Sequence, residues 1–160
     1  MTTIRRDEEG ASTELGYVFT FLLGVLLLSV FGVWAYGIET ATRERWNEAA
    51  VQANLDDLAE AIERADDAAR MDPGLRYVER VEWRPSEADE TRMTVVLEAT
   101  TLRLEDRGGS LDRSVLLSGV APTLHTGSIT LAGIDVIWVV YEDGVTSIET
   151  VPPLDTLSGS

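Results

Sequence analysis

Residues 15–38 form a run of 24 without a single charged side chain, and this run decides what the chain can be. As a helix it would extend about 36 Å against a hydrocarbon core of about 30 Å, enough to cross a bilayer with some tilt. Tyr17 near one end, and Trp34 and Tyr36 near the other, match the aromatic belts of membrane interfaces. A cleaved secretory signal is the main rival, but its apolar region spans about 7–15 residues and ends in a small-x-small site. Here the run is longer and leads into a helical pattern. A buried helix of a soluble domain is the other reading, and so long an uncharged stretch argues against it. The expectation is a charged cytoplasmic leader over 1–14 and one transmembrane helix over 15–38. Arg5 and Arg6 before the span balance Arg43 and Arg45 after it, so the positive-inside count is a tie. Orientation then rests on size: the short tail stays inside and the larger C-terminal domain is exported, with a cytoplasmic domain as the alternative.

Beyond the span the helical period continues. Val51, Leu55, Leu58, Ile62, Ala65 and Ala69 follow one another at steps of three and four, a narrow stripe on one helix face. Acidic and basic residues fill the other faces, and Glu60–Arg64 and Asp66–Arg70 have the favourable i, i+4 order. Asp72-Pro73-Gly74 should stop the helix, because proline cannot continue it and glycine suits the turn. One nearly continuous helix is expected from about residue 13 to 71, with the part over 39–72 amphipathic.

After Gly74 the period changes to two. Strands are expected at 76–84, 92–104, 114–117, 127–131, 134–141 and 145–151. In the long segment 92–104, Met93, Val95, Leu97 and Ala99 share one face whereas Leu102 and Leu104 share the other; a bulge near Thr100-Thr101 would account for the slip. The segment 134–141 is apolar on both faces, as a covered central strand should be. Asp106–Gly109 and Glu142-Asp143-Gly144 read as turns, the second joining a hairpin. Pro152-Pro153 closes the β region, and 154–160 reads as a flexible tail. The helix stripe needs a partner and the sheet needs a cover, so the two should pack together. The predicted class is α+β: a long N-terminal helix packed on an antiparallel sheet of about five to six strands, the β domain covering 73–153.

The chain carries 28 acidic and 13 basic residues, a net charge of −15, and every basic residue is arginine. No segment is basic, which excludes the electrostatic footprint of a nucleic-acid binder. Anionic headgroups would repel this surface as well. An acidic, lysine-free protein fits a high-salt setting, where a Debye length of about 3 Å at 1 M screens self-repulsion. A GC-rich genome favouring arginine codons is the alternative source of that composition. Cysteine is absent, which removes disulfides, thiolate metal sites and cysteine nucleophiles.

A search for chemistry returns little. His125 is the sole histidine and reads as exposed or half-buried, without a cluster around it. Asp56-Asp57 and Asp66-Asp67 point about 100° apart on a helix and read as a solvated face. The glycines of Asp106–Ser110 lack the strand-to-helix context of a phosphate loop. No catalytic, cofactor-binding or metal-binding residues are assigned, no cofactor is expected, and the chain does not read as an enzyme.

The layout is similar to that of type IV pilins and pilin-like proteins: a short charged leader, a long apolar helix, a β-rich head. The stretch Glu9-Gly10-Ala11-Ser12-Thr13-Glu14-Leu15-Gly16-Tyr17-Val18 resembles in particular the start of haloarchaeal pilin-like membrane proteins. That resemblance covers residues 5 to about 40, and the head matches in general layout alone. It implies cleavage by a prepilin peptidase between Gly10 and Ala11, and a role for the Glu14 carboxylate in assembly against a neighbouring subunit, the alternative being a side chain that only sits among the headgroups. Gly16, Thr20 and Gly24 lie four apart on one ridge, the small-xxx-small pattern that lets helices approach closely. The expected partners are the lipid bilayer, prepilin peptidase and other pilin-like subunits. The alternative is a membrane-tethered binding module at the cell surface that never polymerises.

Overall fold

The structure, a computed structural model, describes residues 5–118 and 123–153. The chain divides into two units, residues 1–43 and 44–160. One helix, α1 (Arg5–Met71), is 67 residues long and begins earlier than the apolar pattern suggested. In the first unit every side chain over 15–38 is exposed, and the apolar window lies wholly outside any core. The helix is long and apolar enough to cross a membrane. Thr20 and Ser29 donate their hydroxyls to the carbonyls of Gly16 and Val25, at 2.9 and 2.8 Å, so neither presents an unsatisfied donor to its surroundings.

The second unit is α+β. Its seven strands are β1 (Tyr77–Glu82), β2 (Met93–Leu97), β3 (Thr101–Asp106), β4 (Arg113–Leu116), β5 (Leu124–Thr130), β6 (Val136–Glu142) and β7 (Val145–Glu149). They form one sheet in the order β1-β6-β7-β5-β2-β3-β4. The count exceeds the expected five to six because the segment 92–104 is two strands. Its change of phase marks a reversal of direction rather than a bulge: Leu97 faces Leu102 in an antiparallel hairpin, and Glu98 N–H donates to Thr101 O at 2.9 Å across the turn. Five ladders are antiparallel; β5 and β7 pair in parallel, a departure from the all-antiparallel expectation.

The stripe on α1 packs on one sheet face. Val51, Leu55, Leu58, Ile62, Ala65 and Ala69 are all buried in one core with Val81, Val95, Leu104, Ile129, Ile137 and Ile148. Those strand residues share a face by register: Val95 opposes both Leu104 and Ile129, Val139 opposes Ile148, and Ile137 opposes Val81. The helix ends where proline removes the next donor. Asp72 N–H makes the last helical bond, to Ala68 O at 3.0 Å, and the Asp72 side chain then accepts from Gly74 N–H at 3.0 Å. The buried Tyr141 donates its hydroxyl to Pro73 O at 2.9 Å, pinning the helix exit to β6.

Two glycines are required. Gly144 (φ 83°) follows Asp143 (φ 50°) in the β6–β7 turn, whose two central residues both need positive φ. Gly127, at φ 145°, lies so close to β7 that a Cβ there would sit 2.4 Å from Ile148 Cγ1 and 3.1 Å from its backbone nitrogen.

Leu58 is fully buried on the helix stripe. Replacing it with alanine should destabilise the head by about 2–5 kcal/mol through lost burial and a residual cavity, read as a lower midpoint of chemical denaturation of the full-length protein in detergent. A midpoint within error of the wild type would mean that the stripe is not the core.

Candidate functional site

The residues singled out from the sequence all lie on α1. Gly10, Ala11 and Glu14 fall within its first turns. Gly16, Thr20 and Gly24 lie four apart in the first unit, Thr20 is exposed, and nothing stands within 4 Å of a Cβ built at either glycine. The ridge is therefore bare, and open to close approach by another helix.

The second unit holds a polar cluster that sequence reasoning missed. The sequence pattern places Asp66 on a solvated face and His125 at an exposed or half-buried position; in the structure both are buried, their side chains 2% exposed. Asp66 lies about 40° around the helix from Ile62, at the edge of the apolar stripe and on the side where Ala59 is also buried. His125 belongs to the same alternation as Gly127 and Ile129, on the helix-facing side of β5. Its Nδ1–H donates to Ala99 O at 2.8 Å, and Nε2 sits 3.0 and 3.1 Å from the two carboxylate oxygens of Asp66. The hydroxyls of Thr123 and Thr146 both donate to Asp66 Oδ1, at 2.7 and 3.1 Å. A buried carboxylate requires such donors, since an unpaired one costs several kcal/mol. The expected Asp66–Arg70 pair gives way to this arrangement, and Arg70 pairs with Asp67 at 2.7 Å instead.

An acid, a histidine and hydroxyls in one place invite comparison with a catalytic triad, and the geometry differs from one. A triad histidine turns one nitrogen to the acid and the other to the nucleophile. Here the second nitrogen is engaged by a backbone carbonyl, and both threonines bond the acid. No ring nitrogen is left to accept a proton from a nucleophile. The cluster is built to join elements.

A second polar join lies at the exposed margin of the sheet. Arg64 on α1 holds Glu79 of β1 through two bonds, at 2.7 and 3.1 Å, and the Tyr77 hydroxyl donates to the same carboxylate. Arg64 also stands 3.6 Å from Glu60, so the expected helical pair is present but secondary. The Arg64 guanidinium holds the Glu79 carboxyl below the usual range; burial, and then the bond to Glu79, push the Tyr77 hydroxyl up. Asn54, itself buried, clips the helix to the chain after β1 by exchanging two hydrogen bonds with the Arg84 backbone, at 2.8 and 3.1 Å. The Asp106 carboxylate is held below its ordinary range by Gly108 N–H and then by Ser110 within its own turn. Among the described residues no three His, Asp or Glu side chains converge as metal ligands.

Glu79 sets a pH dependence with a definite sign. Its folded-state pKa is depressed, so its contribution is complete above the unfolded value of about 4.3 and is lost as pH falls through the lower folded value. Glu79→Gln should therefore give a shallower acid loss of stability than wild type when denaturation midpoints are followed from about pH 6 to about pH 3. An identical acid limb would remove Glu79 from it. Compared with known proteins, the chain matches no family model, no curated protein and no solved structure.

Proposed function

We propose that this chain is a single-pass, membrane-anchored pilin-like protein of the cell surface, a structural or accessory subunit of a type IV pilus-like filament or of its assembly machinery. One observation carries the reading: α1 has an exposed apolar segment over 15–38 and, further along the same helix, a stripe buried under a β-sheet. Lipid is the solvent that makes the first part stable, because every backbone group in it is satisfied within the helix and its surface is apolar. The resemblance of residues 9–18 to haloarchaeal pilin-like starts supports the family. So does the bare Gly16-Thr20-Gly24 ridge, which suits packing against an equivalent helix. In this reading prepilin peptidase cuts after Gly10, Ala11 becomes the new N-terminus, and the Glu14 carboxylate meets the amine of a neighbouring subunit. The head lies outside the cell, and its acidity suits a high-salt medium.

A non-polymerising tethered binding module is the second reading. Glu9 favours it, since archaeal leaders of this kind usually carry a basic residue before the glycine. So does the place of Glu14, fourth rather than fifth after the cleavage point. Mass spectrometry of the mature protein separates the two. A chain beginning at Ala11 in cells with prepilin peptidase, and uncut without it, is the expected result; an intact leader in normal cells would leave the tether.

The span has its own test. Replacing Leu23 and Leu27 together with arginine should abolish stable insertion, at about 2.5–3.5 kcal/mol for each central charge. The double mutant is expected to leave the membrane fraction, and one that still sediments with membranes would remove residues 15–38 as the anchor.

A further inference from the structure

The sheet order divides the head into two antiparallel halves, β1-β6-β7 and β5-β2-β3-β4, joined along β5–β7. That join is the shortest ladder among the described residues. It has three residue pairs, Leu124–Val145, His125–Thr146 and Thr126–Ser147, against six in β1–β6 and five in β2–β3. It is also parallel, the slightly weaker geometry per residue. Gly127 follows at once, packed on the Ile148 backbone where a side chain would not fit, and there β5 is paired only to β2.

The central pair of this seam is His125–Thr146, and both side chains bond Asp66 of α1. Thr123, just ahead of β5, bonds it too, and His125 reaches on to Ala99 in the β2–β3 turn. One carboxylate thus ties the helix to both halves at the point where they meet, and no other polar group in the described core is shared this way.

We infer that the β5–β7 seam is a built-in opening line of the head and that Asp66 is its bolt, so that the two halves part there before the rest unfolds. The apolar contacts of each half with the helix survive such an opening, because Val81, Ile137 and Val139 belong to one half and Val95, Leu102 and Leu104 to the other. What opening must break is the short ladder, the close packing of Gly127 on Ile148 and the bonds to Asp66.

Native-state hydrogen exchange on the full-length protein in detergent tests this directly. Amides of 124–126 and 145–147 that bridge the seam should exchange through an opening with a small denaturant dependence, while β1–β6 and β2–β3 amides follow the full slope of global unfolding. Thr146→Val removes one donor to the carboxylate at nearly constant volume. It should speed exchange at the seam by roughly 10-fold or more and leave the β2–β3 ladder unchanged. Val81→Ala, a core truncation in one half away from the seam, should produce no such selective change. Seam amides that share the rate and slope of the other ladders in wild type would overturn the inference, as would a Thr146→Val effect spread evenly over all seven strands or absent from the seam.

Discussion

The head exists because one helix face and one sheet face each lack a partner. The stripe on α1 is narrow, and the side chains beneath it come from strands far apart in sequence, from Val81 to Ile148. Hydrophobic burial is non-directional, so it favours contact between these faces without choosing among nearby alignments of helix on sheet. Directional bonds make the choice. Asn54 grips the Arg84 backbone, Arg64 grips Glu79, and Asp66 grips His125, Thr123 and Thr146. These fixed points are spread along the helix, and a slip of one turn, about 5.4 Å, would strand every one of them. Asp66 is the most demanding, because a carboxylate that loses its donors while buried leaves an uncompensated charge.

Legibility followed the range of each signal. The apolar run, the stripe over 51–69 and the Asp72-Pro73-Gly74 stop depend on neighbours a few residues apart, and each stands where the period placed it. The Glu142-Asp143-Gly144 turn was readable for the same reason, since two positive φ angles in succession leave few choices of residue. The segment 92–104 was harder. A phase slip in an alternating pattern looks alike whether the strand bulges or folds back, and Glu98-Ala99-Thr100 contains neither glycine nor proline to mark a reversal. The parallel β5–β7 pairing joins strands from different hairpins, and no local pattern encodes it.

The polar cluster was half legible. Its members are 59 residues apart in the case of His125 and Asp66, and 80 in the case of Thr146 and Asp66. No spacing rule links them. Yet the angular position of Asp66, between the buried Leu55 and Ala59 on the helix face, and the alternation of His125 with Ile129 both pointed inward. Two polar residues on two buried faces that must meet are each other's natural partners. Reading Asp66 as one of an adjacent acidic pair obscured this, because Asp67 is exposed and carries the surface ion pair with Arg70.

The placement of charge follows from what each part of the chain must be dissolved in. Over 15–38 Thr20 and Ser29 turn their hydroxyls back onto the helix, and the remaining polar side-chain groups, on Tyr17, Trp34 and Tyr36, lie near the two ends of the segment, so its middle asks nothing of water. In the head, nearly all ionised groups are on the surface, many in exposed or half-exposed pairs such as Arg84–Asp57 and Arg113–Glu48, which contribute little individually. The acidity of the head is then a property of its surface rather than of its fold. Asp66 stands apart: it is the one carboxylate in the buried set, and it is the one with three separate side chains aimed at it. A buried polar cluster seldom adds net stability over a well-packed apolar alternative. Its presence between two half-sheets is better explained by the alignment it enforces than by the energy it contributes.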